Sequence, residues 1–342
     1  MSRMAGTQMF LVILLALFST SSAEVLQLSK LMLESEFSVS GLSSGAYMAV
    51  QFHVTHSSKI NGSAIFAGGP FYCAEGNVVY AENKCMSTTL GGPETEKLIG
   101  LTREDWALGF VDNPDVHLKN DRIYLFSGAG DTIVDQKVMH SLEQYYGTFI
   151  PSPGNLVADF NVDAEHCLPT VDYGEECETL SSPYIGKCAF DGAGTALQHI
   201  FGEEELKKPS GTFVKANLQS FDQTPFFSAA IPASIGEEGY IYTPTACQNG
   251  NVKCRLHVSF HGCEQNIELI GPEYATNTGF NAWAEANNIV VLYPYVKVSR
   301  TVPYNPKGCW DWWGYSGVYY GTNQGVQMKF VKRIIEQLGI SF

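Results

Sequence analysis

Gly41-Leu42-Ser43-Ser44-Gly45 sets a serine between two glycines, two positions from each. That spacing suits a tight turn between a strand and a helix, which lifts a serine hydroxyl clear of the backbone to act as a nucleophile. The glycines let the turn close with no Cβ in the way. A five-residue match arises easily by chance in a chain with 33 glycines among 342 residues, so the flanks decide. "LESEFSVS" (33–40) reads as a strand, and "SGAYMAVQFHVTHS" carries apolar residues at helical spacing. That context makes Ser43 the candidate nucleophile.

A serine nucleophile needs a base to take its proton and an acid to orient the base. Asp131 closes "FSGAGD" at the end of a predicted strand (121–131). Asp135, one helical turn on, is the rival, but its place suits the first turn of the next helix. His166 in "AEHCLP" follows the next strand, "NLVADFNV" (155–162), and completes the chain order Ser…Asp…His. His261 competes for the base role from a His-Gly turn at a strand end. His53, His56, His117, His140 and His199 lie on helices or loops without a partner pattern and read as surface or packing residues. Charge developing on a substrate carbonyl oxygen needs amide donors. The backbone N–H of Ser44, just after the nucleophile, and that of Cys263, after the His-Gly turn, are the candidates. "NPKGCWDWWGYSG" (305–317) gathers Trp310, Trp312 and Trp313, three of the five tryptophans. Core packing and the wall of an apolar ligand groove are both open for them.

Positioning these groups takes a sheet, and strands alternate with helices along the chain, which predicts a largely parallel α/β architecture. "GYIYTPTACQNGNVKCRLHVSFHGC" (239–263) reads as an edge strand, a loop and a buried strand. "NTGFNAWAEANNIVVLYPYV" (277–296) reads as a helix and another buried strand. The last helix, 325–339, is amphipathic, with Met328, Val331, Ile335 and Leu338 on one stripe. In an α/β-hydrolase such elements precede the nucleophile turn; here they follow it. A single-domain α/β-hydrolase with circularly permuted chain order, sheet mostly parallel and helices on both faces, is therefore expected over 24–342.

Residues 1–23 look like a secretory leader: Arg3, the apolar run "FLVILLALF" (10–18) and a small-residue cleavage site "SSA" (21–23). That run is too short to cross a bilayer, which takes about 20 residues. The formal charge of −14 leaves no basic footprint for nucleic acid and disfavours anionic membranes. Nine cysteines lack the close doublets of a zinc site and suit an oxidising compartment. Cys73–Cys85, Cys247–Cys254 and Cys263–Cys309 are the expected pairs, with one of Cys167, Cys177 and Cys188 left free. "NGS" at Asn61 is an acceptor sequon for glycosylation.

"GLSSGAYMA", "SGAGDTIV", "HGCEQN" and "GCWDWWGYSG", in that order, resemble the poly(3-hydroxybutyrate) depolymerase-like esterases, in particular their circularly permuted single-domain type. The resemblance spans nearly all of 24–342. It implies a triad of Ser43, Asp131 and His166, and an oxyanion hole from the amides of Ser44 and Cys263. It further implies a substrate contact from Trp310, Trp312 or Trp313. The implied chemistry is hydrolysis of 3-hydroxyalkanoate esters through an acyl-enzyme, with no metal or organic cofactor. The segment from 167 to 238 carries no matching motif and is expected to cover the cleft. The resulting expectation is a secreted, monomeric serine esterase acting on poly(3-hydroxybutyrate) or its oligomers. The alternatives are an acetyl or feruloyl esterase of plant polysaccharide and a non-catalytic secreted polymer-binding protein.

Overall fold

The computed structural model describes residues 26–342; the expected leader, 1–23, lies outside the described residues. The strands are β1 (Phe37–Leu42), β2 (Ile60–Phe66), β3 (Arg122–Phe126), β4 (Leu156–Asp159), β5 (Leu168–Thr170), β6 (Glu175–Glu176), β7 (Ile185–Lys187), β8 (Leu218–Asp222), β9 (Glu238–Tyr242), β10 (Arg255–Phe260) and β11 (Ile289–Tyr293). Eight of them form one sheet in the order β4-β3-β2-β1-β10-β11-β9-β8, and β5-β7-β6 form a small second sheet. From β4 to β11 every neighbour is parallel, and β9 and β8 close that end antiparallel.

Side chains alternate across this sheet as the pleat requires. Ile123 and Leu125 of β3 join one apolar cluster, while Tyr124 and Phe126 join the other. Helix α1 (Ser44–Thr55) and the helices Gln136–Phe149 and Val326–Leu338 pack mainly on the first face, and Gly192–Phe201 and Phe280–Asn287 on the second. Met328, Val331, Ile335 and Leu338 are all buried, as their stripe predicts. The architecture is the expected α/β-hydrolase sandwich, and the permutation is visible in the sheet. Renumbered from β8, with β1 to β4 counted after β11, the order across the sheet becomes 1-2-4-3-5-6-7-8. The serine strand β1 is then fifth. The two ends of the described chain also meet: Leu31 N–H donates to Leu338 O at 2.9 Å, and Gln337 to Leu28 O at 2.9 Å.

Three expectations need revision. β9, read as an edge strand, has neighbours on both sides, and the edge is β8, inside a segment that offered no motif. The segment 167–238 is accordingly more than a cover, because its helix Gly192–Phe201 packs into the second core cluster. The Asn61 sequon lies within β2, and the Asn61 side-chain oxygen is buried without a partner, a poor place for a glycan.

A polar seam runs through the second face. His257 of β10 is completely buried, with Nδ1 2.7 Å from Ser38 Oγ and Nε2 2.8 Å from Ser40 Oγ on β1. Burial holds the His257 pKa down to about 3 and those of His56 and His261 to about 4. Each takes up a proton near pH 6.5 once unfolded, so the unfolded state binds more protons as pH falls from there toward 4. The stability these groups contribute is full above pH 6.5 and is lost on acidification. Calorimetry is expected to show Tm falling over that range. His257→Gln, which hydrogen-bonds without titrating, is expected to show a shallower fall; an unchanged slope would refute the assignment.

Candidate active site

Ser43 sits at φ 58° and ψ −121°, a conformation that β-carbon-bearing residues rarely adopt. It is pinned on both sides: its N–H donates to Phe66 O at the end of β2 (2.9 Å), and its carbonyl accepts from Tyr47 N–H, opening α1 (3.0 Å). The flanking glycines answer to close approach. A Cβ on Gly41 would lie 2.1 Å from Gly45 O, and one on Gly45 would lie 2.1 Å from Phe260 O at the end of β10. The motif therefore records how tightly the turn is folded against α1 and the neighbouring strand.

Asp131 and His166 come from the loops after β3 and β4. Asp131 Oδ2 lies 2.9 Å from His166 Nδ1, and its Oδ1 accepts the N–H groups of Ile133 (2.8 Å) and Val134 (2.9 Å). Gly128 allows the two loops to touch, since a Cβ there would lie 2.1 Å from Ala164 O. With Nδ1 engaged by Asp131, Nε2 of His166 is the ring nitrogen left for the cavity that Ser43 also lines. No hydrogen bond joins Ser43 Oγ to His166; such contacts commonly tighten only when substrate binds. Asp135 takes the other role considered for it, capping the helix Gln136–Phe149 through Lys137 N–H.

His261 is buried away from that cavity. Its Nδ1 lies 2.7 Å from Gly262 O, its Nε2 accepts Val296 N–H at 3.3 Å, and its ring stacks on Tyr295. Burial holds it neutral, and it shapes the turn. Gln265, fully buried, completes that turn. Its Oε1 accepts Gly262 N–H at 2.7 Å, and its Nε2 donates to Pro183 O at 2.8 Å. Gly262 is thereby occupied, while the Cys263 and Ser44 amides have no intramolecular partner among the described residues. Ser44 Oγ is buried and accepts Trp310 N–H at 3.3 Å, so its hydroxyl ties down the tryptophan loop.

The cavity holding Ser43 and His166 has a volume of about 230 Å³. Met86, Ile133 and Leu180 form an apolar side; Tyr184, Glu264, Gln265 and Lys307 line it near the Cys263 turn. None of the three tryptophans lines it. Trp310 is wholly buried, Trp312 is 5% exposed and stacks on Tyr47 at 4.1 Å, and Trp313 is half-buried. Asp311 organises their loop by accepting backbone N–H groups of Trp313, Gly314, Tyr315 and Ser316. Burial raises the Asp311 pKa, and the bonds from Ser316, Gly314 and Tyr315 oppose that shift.

Comparison with known proteins places the chain as a whole. The chain is 41% identical over 307 residues to a poly(3-hydroxybutyrate) depolymerase of Delftia acidovorans, a match covering 89% of this chain and 60% of that protein. It is 35% identical over 317 residues to a polyhydroxybutyrate depolymerase of Talaromyces funiculosus, covering 89% of this chain and 90% of that one. The chain belongs to the poly(3-hydroxybutyrate) depolymerase family. No family model matches it. Among solved structures, a PHB depolymerase from Penicillium funiculosum superposes with TM-score 0.82 at 32% identity, covering 92% of this chain and 99% of that chain. A PHB depolymerase serine-to-alanine variant complexed with an R3HB trimer gives TM-score 0.83 at 33% identity, with the same coverage. The chain thus spans 60% of the length of its Delftia relative and nearly all of the two solved family members.

Sequence reading passes over three residues the structure brings to this region: Gln265, Glu165 and His257. Gln265 lies inside the quoted "HGCEQN" and Glu165 beside His166, but neither type announces a linking role, and His257 is visible only as a histidine at strand periodicity. The cysteines pair as Cys73–Cys85, Cys177–Cys188, Cys247–Cys254 and Cys263–Cys309, leaving Cys167 free and buried. Burial pushes the Cys167 thiol up to about 12, so it stays protonated and unreactive. A thiol-reactive disulfide reagent is expected to leave the native protein unlabelled and to titrate one thiol per chain in denaturant. Rapid labelling of the native protein would contradict this packing.

Proposed function

We propose that the protein is a secreted serine esterase that hydrolyses the ester bonds of poly(3-hydroxybutyrate) or its oligomers. The observation that carries this reading is the cavity where Ser43 and His166 meet, with Asp131 behind His166. The unpartnered amides of Ser44 and Cys263 and the kinship with family members named for this polyester support it. Four disulfides support assembly in an oxidising compartment.

In this mechanism His166 Nε2 takes the Ser43 proton as Oγ attacks the ester carbonyl carbon. Asp131 holds the imidazole in the tautomer with Nδ1 protonated and favours the imidazolium that forms. The carbonyl oxygen becomes an oxyanion held by the Ser44 and Cys263 N–H groups; one such donor is typically worth about 10²–10³ in rate. Collapse expels the hydroxyl end of the next unit, protonated by His166, and leaves an ester on Ser43. Water activated by His166 then attacks that acyl-enzyme and releases a 3-hydroxyacid end. The apolar side of the cavity suits the short alkyl branch of such a unit. Its volume, below the roughly 300–1,000 Å³ of pockets that enclose whole drug-sized ligands, suits one ester unit rather than a folded chain.

Trp310 has no exposed atoms to offer a substrate, and its part is to pack beneath the Cys263 turn beside Phe260 and His261. Trp312 and Trp313 keep small accessible areas from which a contact outside the cavity can be made.

Turbidity of an amorphous poly(3-hydroxybutyrate) suspension is expected to clear with the wild type and not with folded Ser43→Ala. Clearing by Ser43→Ala would remove Ser43 as nucleophile. Hydrolysis of p-nitrophenyl butyrate without clearing would keep the catalytic groups and discard the polymer.

A further inference from the structure

The acid–base pair hangs from a weak part of the fold. β4 is a four-residue edge strand, paired only with β3, and none of its residues is fully buried. Both Asp131 and His166 stand on irregular backbone beyond these strands. Hydrogen bonds between their loops run from Ala129 N–H to Val162 O (2.8 Å) and from Gly130 N–H to Ala164 O (3.0 Å). Both reach the His166 loop before His166 itself.

Glu165 fills that gap. Its side chain is directed back across the junction, and the residue is 9% exposed. Oε1 accepts the Thr132 hydroxyl at 2.6 Å, and Oε2 accepts Thr132 N–H at 3.3 Å and His166 N–H at 2.7 Å. Thr132 directly follows Asp131, so one carboxylate grips the residue beside the acid and the backbone of the base. The Glu165 N–H is itself tied to Cys177 O at 2.8 Å, which anchors the bridge to the disulfide-bonded loop. Both N–H groups on Oε2 can only donate, whereas the Thr132 hydroxyl on Oε1 can donate or accept, so a carboxamide can rebuild this bridge and an apolar side chain cannot.

We propose that Glu165 is a positioning residue: its carboxylate locks the Asp131 loop to the His166 loop and so holds the imidazole against Asp131 and toward Ser43. This rests on the reading of Ser43, Asp131 and His166 as the catalytic groups. Orientation of a base within fractions of an ångström governs rate far more than affinity, because misplacement affects the transition state and leaves ground-state binding intact.

The test is steady-state kinetics on p-nitrophenyl butyrate for Glu165→Leu, Glu165→Gln, Thr132→Val, Thr132→Ser, the double of Glu165→Leu with Thr132→Val, and His166→Ala. Thermal melts report the folded fraction of each. Glu165→Leu is expected to lower kcat by about 10- to 100-fold with the enzyme folded, with KM within about twofold, while Glu165→Gln, which can rebuild the bridge, should recover most of that loss. The rate of Ser43 phosphonylation by an organophosphonate should fall in parallel in Glu165→Leu. Thr132→Ser, which keeps the hydroxyl, should retain activity that Thr132→Val loses, and Thr132→Val should add little to Glu165→Leu because both break one bridge. A Glu165→Leu enzyme with wild-type kcat, or one whose loss only tracks its unfolded fraction, overturns the proposal if His166→Ala is inactive. Full activity in folded His166→Ala would overturn the acid–base reading and this proposal with it.

Discussion

Everything at this site depends on the parallel pairing of β1 with β10. The two strands come from opposite ends of the chain, and Ser40 and Ser259, 219 residues apart, sit in register on them. Gly41 pairs with Phe260, so the serine turn and the His261–Cys263 turn leave the sheet side by side. The approach is so close that Gly45 has no room for a Cβ against Phe260 O. That contact sets the spacing between the amides of Ser44 and Cys263, which an oxyanion hole needs within a few tenths of an ångström. The Ser38–His257–Ser40 seam lies directly below it and resists a shift of either strand. A one-residue slip would also turn the whole strand face over.

Seen from this pairing, the order of elements along the chain matters little. One part of the chain supplies β1 to β4, bringing Ser43, Asp131 and His166, the proposed nucleophile, acid and base, in that order. The later part supplies β8 to β11 and the turn carrying Cys263. Cys263–Cys309 then ties that turn to the loop whose tryptophan backbone rests on Ser44 Oγ. The Cys263 side of the cavity is thus braced by a covalent and a hydrogen-bonded link to one loop, links that chain order does not control.

Motif-bearing residues were the legible ones, because their types answer to local needs. Ser43 with its glycines reflects a turn, Asp131 a strand end, and the Ser…Asp…His order a sheet that brings successive loops together. The permutation was legible from the late His-Gly strand. What stayed hidden depends on tertiary neighbours. β8 carries no alternation clear enough to mark an edge strand, since its partner β9 and the bridge to Leu26 define it. Asn61 read as an acceptor sequon because no local signal says that "NGS" lies inside a buried strand. The tryptophans were ambiguous for the same reason: type and spacing announce apolar surface, while only packing against Phe260, His261 and Tyr47 says where it goes.

Glu165 and Gln265 show how such a site is held. Glu165 directly precedes His166 and Gln265 follows Cys263 by two positions, and each side chain joins a backbone group of its own loop to a group of a second loop. Loops leave donors and acceptors unpaired, and a buried unpaired group costs about 1–3 kcal/mol. One polar side chain that satisfies both loops removes that cost and fixes their separation together. Gln265, offering one acceptor and one donor group, suits a junction where Gly262 donates and Pro183 accepts. Glu165, offering only acceptors, suits one where Thr132 and His166 both donate. The chemistry of each linker is therefore dictated by the backbone groups its two loops leave free, and the reacting groups inherit their geometry from that match.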